Sequence, residues 1–527
     1  MESVPLLLEA LYGQALRSIL LAMSWEKELE ELRRREAIAE KMGGEEKLAR
    51  QKSRGKLNAR ERIARLLDSG SFREIGKIAG KGVYDETGAL EDFSPTNMIF
   101  GRGRINSAPV IASADDFTVR RGAGDAANHR KFALAEQAAH DLRLPMIRMI
   151  DGTGGGGSVK SIEQLGFTYV PFVPGWEHVV QNLDTVPVVA LALGPTAGLG
   201  AARAVASHYS LMVRGLSQVF TAGPKVVAGI GEGELDNESL GGADIHARNG
   251  VIDDEAASED EAFAMTRRFL SYLPSSIHDR PARTTPNDAV NRREEALLSA
   301  VPRERRQVYS MRKIAEMVVD RGSMFEIGKR WGRAAITAFA RLDGWPVAVL
   351  ASDPTFLGGS WTADTAEKAQ RFVALAEQFH LPVVHLVDNP GFMIGLEAEK
   401  AGTIRRGVNV MNAIYRTKTP WATVIIRKAY GVAGAAMSDH TRFQYRFAWP
   451  SGDWGSLPMD GGVEVAYKAE LENVDDPAAH IAAIKKRLSA ISSPFRSAEH
   501  FLIEDIVDPR DTRPLLCEFA ELANRGR

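Results

Sequence analysis

The chain has 527 residues, and its 66 lysines and arginines against 68 aspartates and glutamates give a formal net charge of −2. With 44% apolar and 25% charged residues the composition is that of a globular protein, and the near-zero charge argues against a general nucleic-acid binder, which carries a basic excess. The single cysteine, Cys517, excludes an intrachain disulfide and a cysteine-based zinc ribbon, and no run approaches the ~18 apolar residues of a membrane helix.

The N-terminal segment is rich in charge. Its first residues, Met1 to Pro5, include an early glutamate and no basic stretch, so we expect no secretory signal and predict a cytoplasmic protein. Residues 24–53 are dominated by glutamate, lysine and arginine, with sparse leucine and isoleucine. This pattern predicts one exposed helix stabilised by ion pairs between successive turns.

Beyond residue 55 short β-branched runs alternate with helical segments, which is typical of α/β architecture. Two stretches of this pattern match each other, because a leading proline, a Leu-Pro pair and a closing aspartate recur at one constant spacing. An internal duplication is the simplest explanation. The first copy is a strand Pro109–Asp115, a helix Lys131–Asp141 and a strand Leu144–Asp151, and the second is Pro346–Asp353, Glu367–Phe379 and Leu381–Asp388.

A polar, proline-bearing stretch from Pro274 to Asn291 separates the two copies, as expected of an interdomain linker. Two similar α/β domains follow from this division. We predict an N-terminal helical extension over residues 1–54, a first domain over 55–273, a linker over 274–305 and a second domain over 306–527.

A glycine-rich run over 152–157 follows an apolar strand and formally satisfies GxGxxG. The segment after it, 167–174, contains two prolines, which suit the second central strand of a dinucleotide-binding fold badly. A Walker A loop ending at Lys160-Ser161 is equally poor, since Val159 stands where the glycine before the lysine is needed. We interpret the run as neither motif.

Two other glycine turns lie at equivalent places in the two copies. Residues 194–202 and 431–437 each leave a strand and enter a helix of small residues. Such a turn exposes backbone N–H groups at a helix N-terminus, where the donors and the helix dipole both favour a developing negative charge. The alternative is a purely structural role, in which the small residues only allow the helix to pack closely on the sheet. The presence of two equivalent turns favours a functional role.

Side-chain chemistry is sparse by comparison. The sequence has no HExxH or GxSxG motif and no credible metal-binding cluster among its eleven histidines, so no metal is predicted. We interpret His246 and His385 as structural, and we expect Asp151 and Asp388 to cap the turns that follow their strands. An active site built from backbone dipoles would explain why no catalytic triad is seen.

Six segments together are specific for one family: 55–62, 116–119, 240–243, 311–314, 387–392 and 427–431. On these residues the chain, from about residue 55 onward, resembles the carboxyltransferase (β) subunit of biotin-dependent acyl-CoA carboxylases, the propionyl-CoA carboxylase β-like family. The resemblance implies an α/β fold of two tandem crotonase-like (ClpP-type ββα spiral) domains. It also implies a homohexamer whose active sites lie where the N-domain of one subunit meets the C-domain of another.

The family's chemistry assigns roles to both turns. By resemblance, Gly198 and Leu199 hold the thioester oxygen of the acyl-CoA as it becomes an enolate, and Val432 and Ala433 hold the ureido oxygen of biotin. The other residues that the resemblance assigns are Gly154, Gly155, Ala197, Gly431, Gly434 and Ala435 on the acyl-CoA side and Gly391 and Phe392 on the biotin side.

The chain departs from the family pattern at several positions. Leu199 replaces the usual second glycine, Gly434-Ala435 replaces a Tyr-Asp pair, and the run 154–157 replaces an arginine-bearing loop. The loss of two large side chains favours a larger or branched acyl group than propionyl. Arg120 and Arg121 stand where small residues are usual, and either meet CoA phosphates or are solvated.

The resemblance also implies partners. With no biotinylation motif and no ATP-binding loop, the chain is expected to use biotin carried on a separate subunit and a separate biotin carboxylase. The reaction would move CO2 from carboxybiotin to the α-carbon, or a vinylogous carbon, of an acyl-CoA. The alternatives are a decarboxylase component of the same family, a non-catalytic scaffold subunit, and a crotonase-type hydratase or hydrolase, which would need an acid close to Gly198 that the sequence lacks.

Overall fold

The computed structural model describes residues 24–122, 126–152, 162–163, 166–168, 170, 172–437, 445–489 and 491–525. It contains two large, mainly parallel sheets, one in each half of the chain, with helices packed against them. The first sheet has seven strands in the order β1-β4-β5-β6-β7-β9-β11, and the second has β12-β13-β14-β15-β16-β17-β19 with β18 beside β16. The predicted α/β fold with an internal repeat is thus confirmed.

The first half supplies one seven-stranded sheet, the hairpin β2–β3 and the parallel pair β8–β10. Its elements are α1 Glu26–Glu40, α2 Glu45–Lys52, α3 Ala59–Leu66, β1 Arg73–Glu74, β2 Gly80–Tyr84, β3 Leu90–Pro95, β4 Met98–Ile105, β5 Ala108–Asp115, α4 Ala126–Leu142, β6 Met146–Ile150, α5 Trp176–Thr185, β7 Val188–Ala192, β8 Pro195–Ala197, α6 Leu199–Val205, β9 Tyr209–Val213, β10 Gln218–Phe220, α7 Pro224–Gly229, α8 Asn237–Gly241, α9 Ala243–Asn249, β11 Asp254–Ala256 and α10 Glu259–Leu270.

The second half repeats the arrangement around its own sheet and ends in helices that cover it. Its elements are α11 Met311–Val318, β12 Phe325–Ile327, β13 Ala335–Leu342, β14 Trp345–Ser352, α12 Ala363–Gln378, β15 Val383–Asn389, α13 Leu396–Lys400, α14 Thr403–Arg416, β16 Trp421–Tyr430, α15 Gly431–Met437, β17 Tyr445–Ala448, β18 Asp453–Gly455, α16 Met459–Ala466, α17 Lys468–Leu471, α18 Pro477–Ser489, α19 Pro494–Glu499, β19 Asp505–Ile506 and α20 Thr512–Asn524.

The central strands are buried on both faces. Every residue of β6, β7 and β15 is buried, as is usual for parallel strands covered by helices on either side. This burial explains why these strands read as continuous apolar runs without alternation. The continuous apolar runs in the sequence therefore located these strands well, because every residue of such a parallel strand is buried in the core.

The predicted single N-terminal helix is wrong: α1 and α2 are separate helices. The break lies at Met42, Gly43 and Gly44, where Met42 and Gly44 have φ of +54° and +92°. Gly43 packs against residue Thr118, with its N–H donating to the Thr118 hydroxyl over 3.0 Å, and a Cβ there would lie 2.3 Å from the Thr118 carbonyl oxygen. The glycine pair thus turns the chain and brings α2 onto the first domain.

The two halves share an aromatic core. Tyr209 stacks on Phe269 at 4.6 Å between ring centroids, and Phe325 and Phe339 from the second half contact this pair. Asp254 of β11 accepts hydrogen bonds from the Tyr209 hydroxyl and from the second-half backbone. Burial, with the neighbouring Asp253 charge, raises the pKa of Asp254 to about 7. The contact between the halves is therefore both apolar and hydrogen-bonded.

Candidate functional site

Each half has a strand-to-helix turn opened by a glycine in a left-handed conformation. Gly198 has φ +57° and Gly431 has φ +62°, a region that L side chains rarely adopt. Gly198 precedes α6, and Gly431 opens α15 at the end of β16. Both helices are short and contain mostly small residues, and the first N–H groups of a helix have no acceptor within it. The duplication therefore gives two equivalent turns, and at each of them backbone N–H groups have no carbonyl acceptor within their own helix.

The donors of the two turns can be assigned from their hydrogen bonds. The Gly198 N–H donates to the Phe220 carbonyl oxygen over 3.3 Å, so Leu199 supplies the first N–H of α6 that has no acceptor in the described chain. At the second turn the N–H groups of Val432 and Ala433 likewise have no acceptor in the ranges that the structure covers. Gly198 thus shapes its turn, and Leu199 presents the donor.

The other predicted site residues are distributed around these turns. Ala197 ends β8 beside the first turn. Gly431, Val432, Gly434 and Ala435 line an open cavity of about 550 Å³ at the second turn. Gly154 and Gly155 lie outside the described residues.

Of the two residues predicted on the biotin side, Gly391 lies next to the second turn and Phe392 does not line the cavity there. Gly391 has φ +128°, and a Cβ built on it would lie 3.9 Å from the Tyr430 carbonyl oxygen, so it adjoins the second turn. The Phe392 ring packs instead on Gly407 of α14 and is not among the residues lining the cavity there. Its contact with α14 fits a supporting role behind the turn.

Asp151 and Asp388 are each the centre of a buried ion-pair cluster. The expectation that Asp388 caps the turn after its strand is wrong, because the backbone N–H that its carboxylate accepts is that of Lys428 on β16. The turn after Asp151 lies outside the described residues. Asp151 is fully buried and pairs with Lys56 Nζ at 2.6 Å and with Arg62 at 2.8 Å. Asp388 is equally buried and pairs with Arg427 at 3.0 Å while accepting from the Tyr309 hydroxyl over 2.8 Å. Both carboxylates lie at the base of the turns and fix the strand ends there.

The two clusters take their cations from different parts of the chain. In the first half Gly194 stands beside Asp151, and a Cβ there would lie 2.1 Å from the Asp151 Oδ1 and 2.4 Å from Lys56 Nζ. The missing side chain leaves room for Lys56 and for Arg62, whose guanidinium also binds Glu259. In the second half the cation comes from strand β16 itself. Sequence reasoning missed Lys56 and Arg62 as site-forming residues, because nothing local signals partners so far along the chain.

A large basic cavity lies beside the first turn. Its volume is about 680 Å³, and its described lining holds no carboxylate. Lys56 joins this cavity to the Asp151 cluster, and burial lowers its pKa. The cations that line it are Lys47, Arg50, Arg54, Lys56, Arg120 and Arg121. The predicted solvated face of 24–53 is thus partly a cavity wall, and Arg120 and Arg121 line the same space.

The two histidines interpreted as structural are held inside the fold. His246 contacts the Val219 carbonyl oxygen at 2.8 Å. His385 is fully buried, and desolvation lowers its pKa to about 3, which keeps it uncharged at neutral pH. The described part of the chain contains no cluster of three metal-ligating side chains, and no helix in it is long and apolar enough to cross a membrane.

Comparison with known proteins identifies the family to which the chain belongs. The carboxyl transferase domain family matches residues 50–527. The propionyl-CoA carboxylase beta chain of Roseobacter denitrificans is 31% identical over 94% of this chain and 97% of its own length. The methylmalonyl-CoA decarboxylase subunit alpha of Veillonella parvula is 29% identical over 90% of this chain and 91% of its own length.

The solved structures agree. A transcarboxylase 12S structure, described as a hexamer with methylmalonyl-coenzyme A bound, superimposes with a TM-score of 0.85 at 28% identity, covering 96% of this chain and 97% of that one. The duplicated α/β fold is therefore that of a carboxyltransferase. The chain belongs to the carboxyl transferase domain family and is a carboxyltransferase enzyme component of the propionyl-CoA and methylmalonyl-CoA carboxylase type.

Proposed function

We propose that this chain is the carboxyltransferase subunit of a biotin-dependent acyl-CoA carboxylase and carboxylates the α-carbon, or a vinylogous carbon, of an acyl-CoA. The observation that carries the proposal is the pair of equivalent turns, each with backbone N–H groups that have no acceptor in the described residues. Two oxygens become more negative in this reaction, one on the thioester and one on the ureido ring. Two preformed donor sites match that requirement.

In the first half, the Leu199 N–H would donate to the thioester oxygen as it becomes an enolate. Ala197 and Gly198 form the approach to this donor, and Pro195 of the same segment lines the basic cavity. An acyl-CoA could thus lay its phosphates among the cations of that cavity and its thioester at the turn. The absence of a carboxylate in the described lining favours a polyanionic ligand there.

In the second half, the N–H groups of Val432 and Ala433 would bind the ureido oxygen of biotin, which arrives on a separate carrier subunit and supplies the carboxyl group. The open cavity of about 550 Å³ at this turn has the room that such a group needs. The chain's contribution is to orient the ring and to favour negative charge on that oxygen. Gly434 and Ala435 add little bulk, which leaves space for the acyl group to meet it.

We also propose the assembly and the domain limits. The transcarboxylase 12S core is described as a hexamer, and a hexamer with an N-domain facing a partner's C-domain would bring the two kinds of turn together. Exposed apolar side chains support such a contact: Leu134 on α4, Val180 on α5, and Ile404 and Val408 on α14. We place the first domain at 55–273, the linker at 274–305 and the second domain at 306–527, after an N-terminal helical extension over 1–54.

Fixation of radiolabelled bicarbonate tests the activity. The chain, with its biotin carboxylase and biotin-carrying partner and ATP, would be offered acetyl-, propionyl-, branched and aromatic CoA esters. We expect acid-stable label on at least one ester, and loss of that label when the carrier is omitted. No label on any ester, with a carrier shown to be carboxylated, would contradict the proposal and favour a scaffold role.

The similarity to a decarboxylase subunit makes the reverse direction a second candidate. The same turns would serve it, since the enolate and the ureido oxygen are shared by both directions. Offering the carboxylated ester together with unloaded carrier separates the two. Label transfer to the carrier without any ATP-driven fixation would identify a decarboxylase component.

The basic cavity gives a further prediction. Replacing Lys47 and Arg54 together by glutamate should raise the KM for the acyl-CoA about tenfold or more and leave kcat nearly unchanged, because these cations would contact phosphates and not the reacting atoms. Low ionic strength should enlarge the effect. Lys52→Glu is the matched control, since Lys52 lies on α2 outside the cavity lining. An equal effect of both variants would contradict the assignment.

A further inference from the structure

Arg203 lies one helical turn after Leu199 on α6, and its hydrogen bonding is incomplete. Its side chain is 5% exposed, and only NH1 has a partner, the Asp115 carboxylate at 3.1 and 3.2 Å. The Nε and NH2 atoms are buried and have no hydrogen-bond partner in the described chain. Unpaired buried donors are costly, so two on one guanidinium point to an absent acceptor.

Other buried arginines of the chain are saturated. Arg62, Arg148 and Arg513 each use all three guanidinium nitrogens in hydrogen bonds to carboxylates or carbonyl oxygens. The Arg203 guanidinium instead has Phe132 below it, with Cζ 5.0 Å from the ring centroid. These three arginines are fully paired, and among the four only Arg203 has guanidinium nitrogens without a partner in the described chain.

The unpaired nitrogens belong to a side chain that lines a cavity beside the first turn. This cavity has a volume of about 30 Å³ and is lined by Leu199, Arg203 and a mainly apolar wall. A space of this size holds one or two small polar groups. The remaining lining residues are Met98, His129, Phe132, Phe172, Val173 and Pro174.

From this geometry we propose that Arg203 is a specificity-determining residue that donates hydrogen bonds to an oxygen atom on the acyl group of the substrate. The inference rests on the proposed function, which puts the thioester oxygen at the Leu199 N–H. Helical side chains lean toward the N-terminus, so the Arg203 side chain leans back toward that donor. One turn of helix spans about 5.4 Å, which corresponds to an oxygen three to five bonds from the thioester carbon.

The charges around Arg203 favour a neutral oxygen, as in a hydroxyl or a keto group. Asp115 already balances the Arg203 charge, and the adjacent Arg148–Glu136 pair is balanced too. A substrate carboxylate would add an uncompensated negative charge to a buried site, which is costly. A hydroxyl or keto oxygen accepts the two hydrogen bonds without adding charge.

Equilibrium binding and kinetics with matched esters test this inference. The assembled chain is titrated calorimetrically with butyryl-CoA, 3-hydroxybutyryl-CoA, 3-oxobutyryl-CoA and succinyl-CoA, and the same esters are compared in bicarbonate fixation. We expect a hydroxyl- or keto-bearing ester to exceed butyryl-CoA about 100-fold or more in kcat/KM, with tighter binding. Arg203→Met should abolish this preference, so that the ratio of kcat/KM for the oxygenated ester to that for butyryl-CoA falls to about one.

Because Arg203→Met leaves Asp115 unpaired, the double variant Asp115→Leu/Arg203→Met provides the same comparison with both charges removed. Equal use of butyryl and oxygenated esters by the parent enzyme, or an unchanged preference in both variants, would overturn the inference and leave ordered water as the partner. A preference for succinyl-CoA would overturn the neutral-oxygen assignment. Failure of every CoA ester to bind would instead overturn the proposed function itself.

Discussion

Leu199→Pro should reduce kcat for carboxyl transfer by about 10²- to 10³-fold, the usual cost of losing one oxyanion donor. The substitution removes the Leu199 N–H and shortens its side chain, and the helix tolerates it because proline is accepted at the first position of a helix. Gly198, with φ +57°, already turns the chain before it. Initial rates of bicarbonate fixation at saturating acyl-CoA measure the effect.

Leu199→Ala is the matched control, since it shortens the same side chain and keeps the N–H. It should retain activity within about tenfold of the parent enzyme. If the Leu199→Pro enzyme stays assembled and equally active, the Leu199 N–H is not required for the reaction. Equal losses in both variants would assign the effect to the shape of the side chain and not to the donor.

Arg62→Met should destabilise the protein by about 3–5 kcal/mol, one of the largest single effects expected in the chain. The Arg62 side chain is fully buried and binds Asp151 at 2.8 Å, Glu259 at 2.6 Å and the Leu193 carbonyl oxygen at 2.8 Å. Its removal leaves Asp151 paired with Lys56 and leaves Glu259 with the Leu57 N–H as its remaining partner among the described residues. Denaturant unfolding of the two proteins, compared by their midpoints, measures the loss.

Arg60→Met serves as the control on the same helix. Its side chain is 27% exposed and pairs at 2.8 Å with Glu74, which is 10% exposed, so its loss should cost clearly less than the loss of the fully buried Arg62. Similar midpoints for the two variants would mean that the Asp151 cluster contributes nothing beyond a partly exposed pair. Activity should fall only to the extent that the Arg62 variant is unfolded, because Arg62 touches no proposed substrate.

The sequence predicted those features that a local pattern or a repeat can encode. The central strands were found because buried parallel strands are continuous apolar runs, and the turns at Gly198 and Gly431 because small residues cluster after them. The duplication located both turns at once. The family resemblance added roles for Leu199, Val432 and Ala433 that composition alone could not supply.

The features that could not be predicted depend on contacts between distant segments. The roles of Lys56, Arg62 and Glu259 around Asp151 require the fold, since no spacing relates them. The division of the N-terminal helix was missed because Gly43 serves a close approach to Thr118, which only the packed structure reveals. Arg203 was equally invisible, as its missing partners are known only once its burial is known.

The residues paired in the two aspartate clusters are separated by very different lengths of chain. This difference decides when each cluster can form during synthesis. The Arg62–Glu259 pair joins residues 197 positions apart, whereas the Arg427–Asp388 pair joins residues 39 positions apart. A nascent first half that ends before Glu259 would bury Lys56 and Arg62 against Asp151 alone, with one positive charge in excess. Its ionic centre is thus complete only when the last helix of that half has left the ribosome, while that of the second half closes within a short stretch of chain.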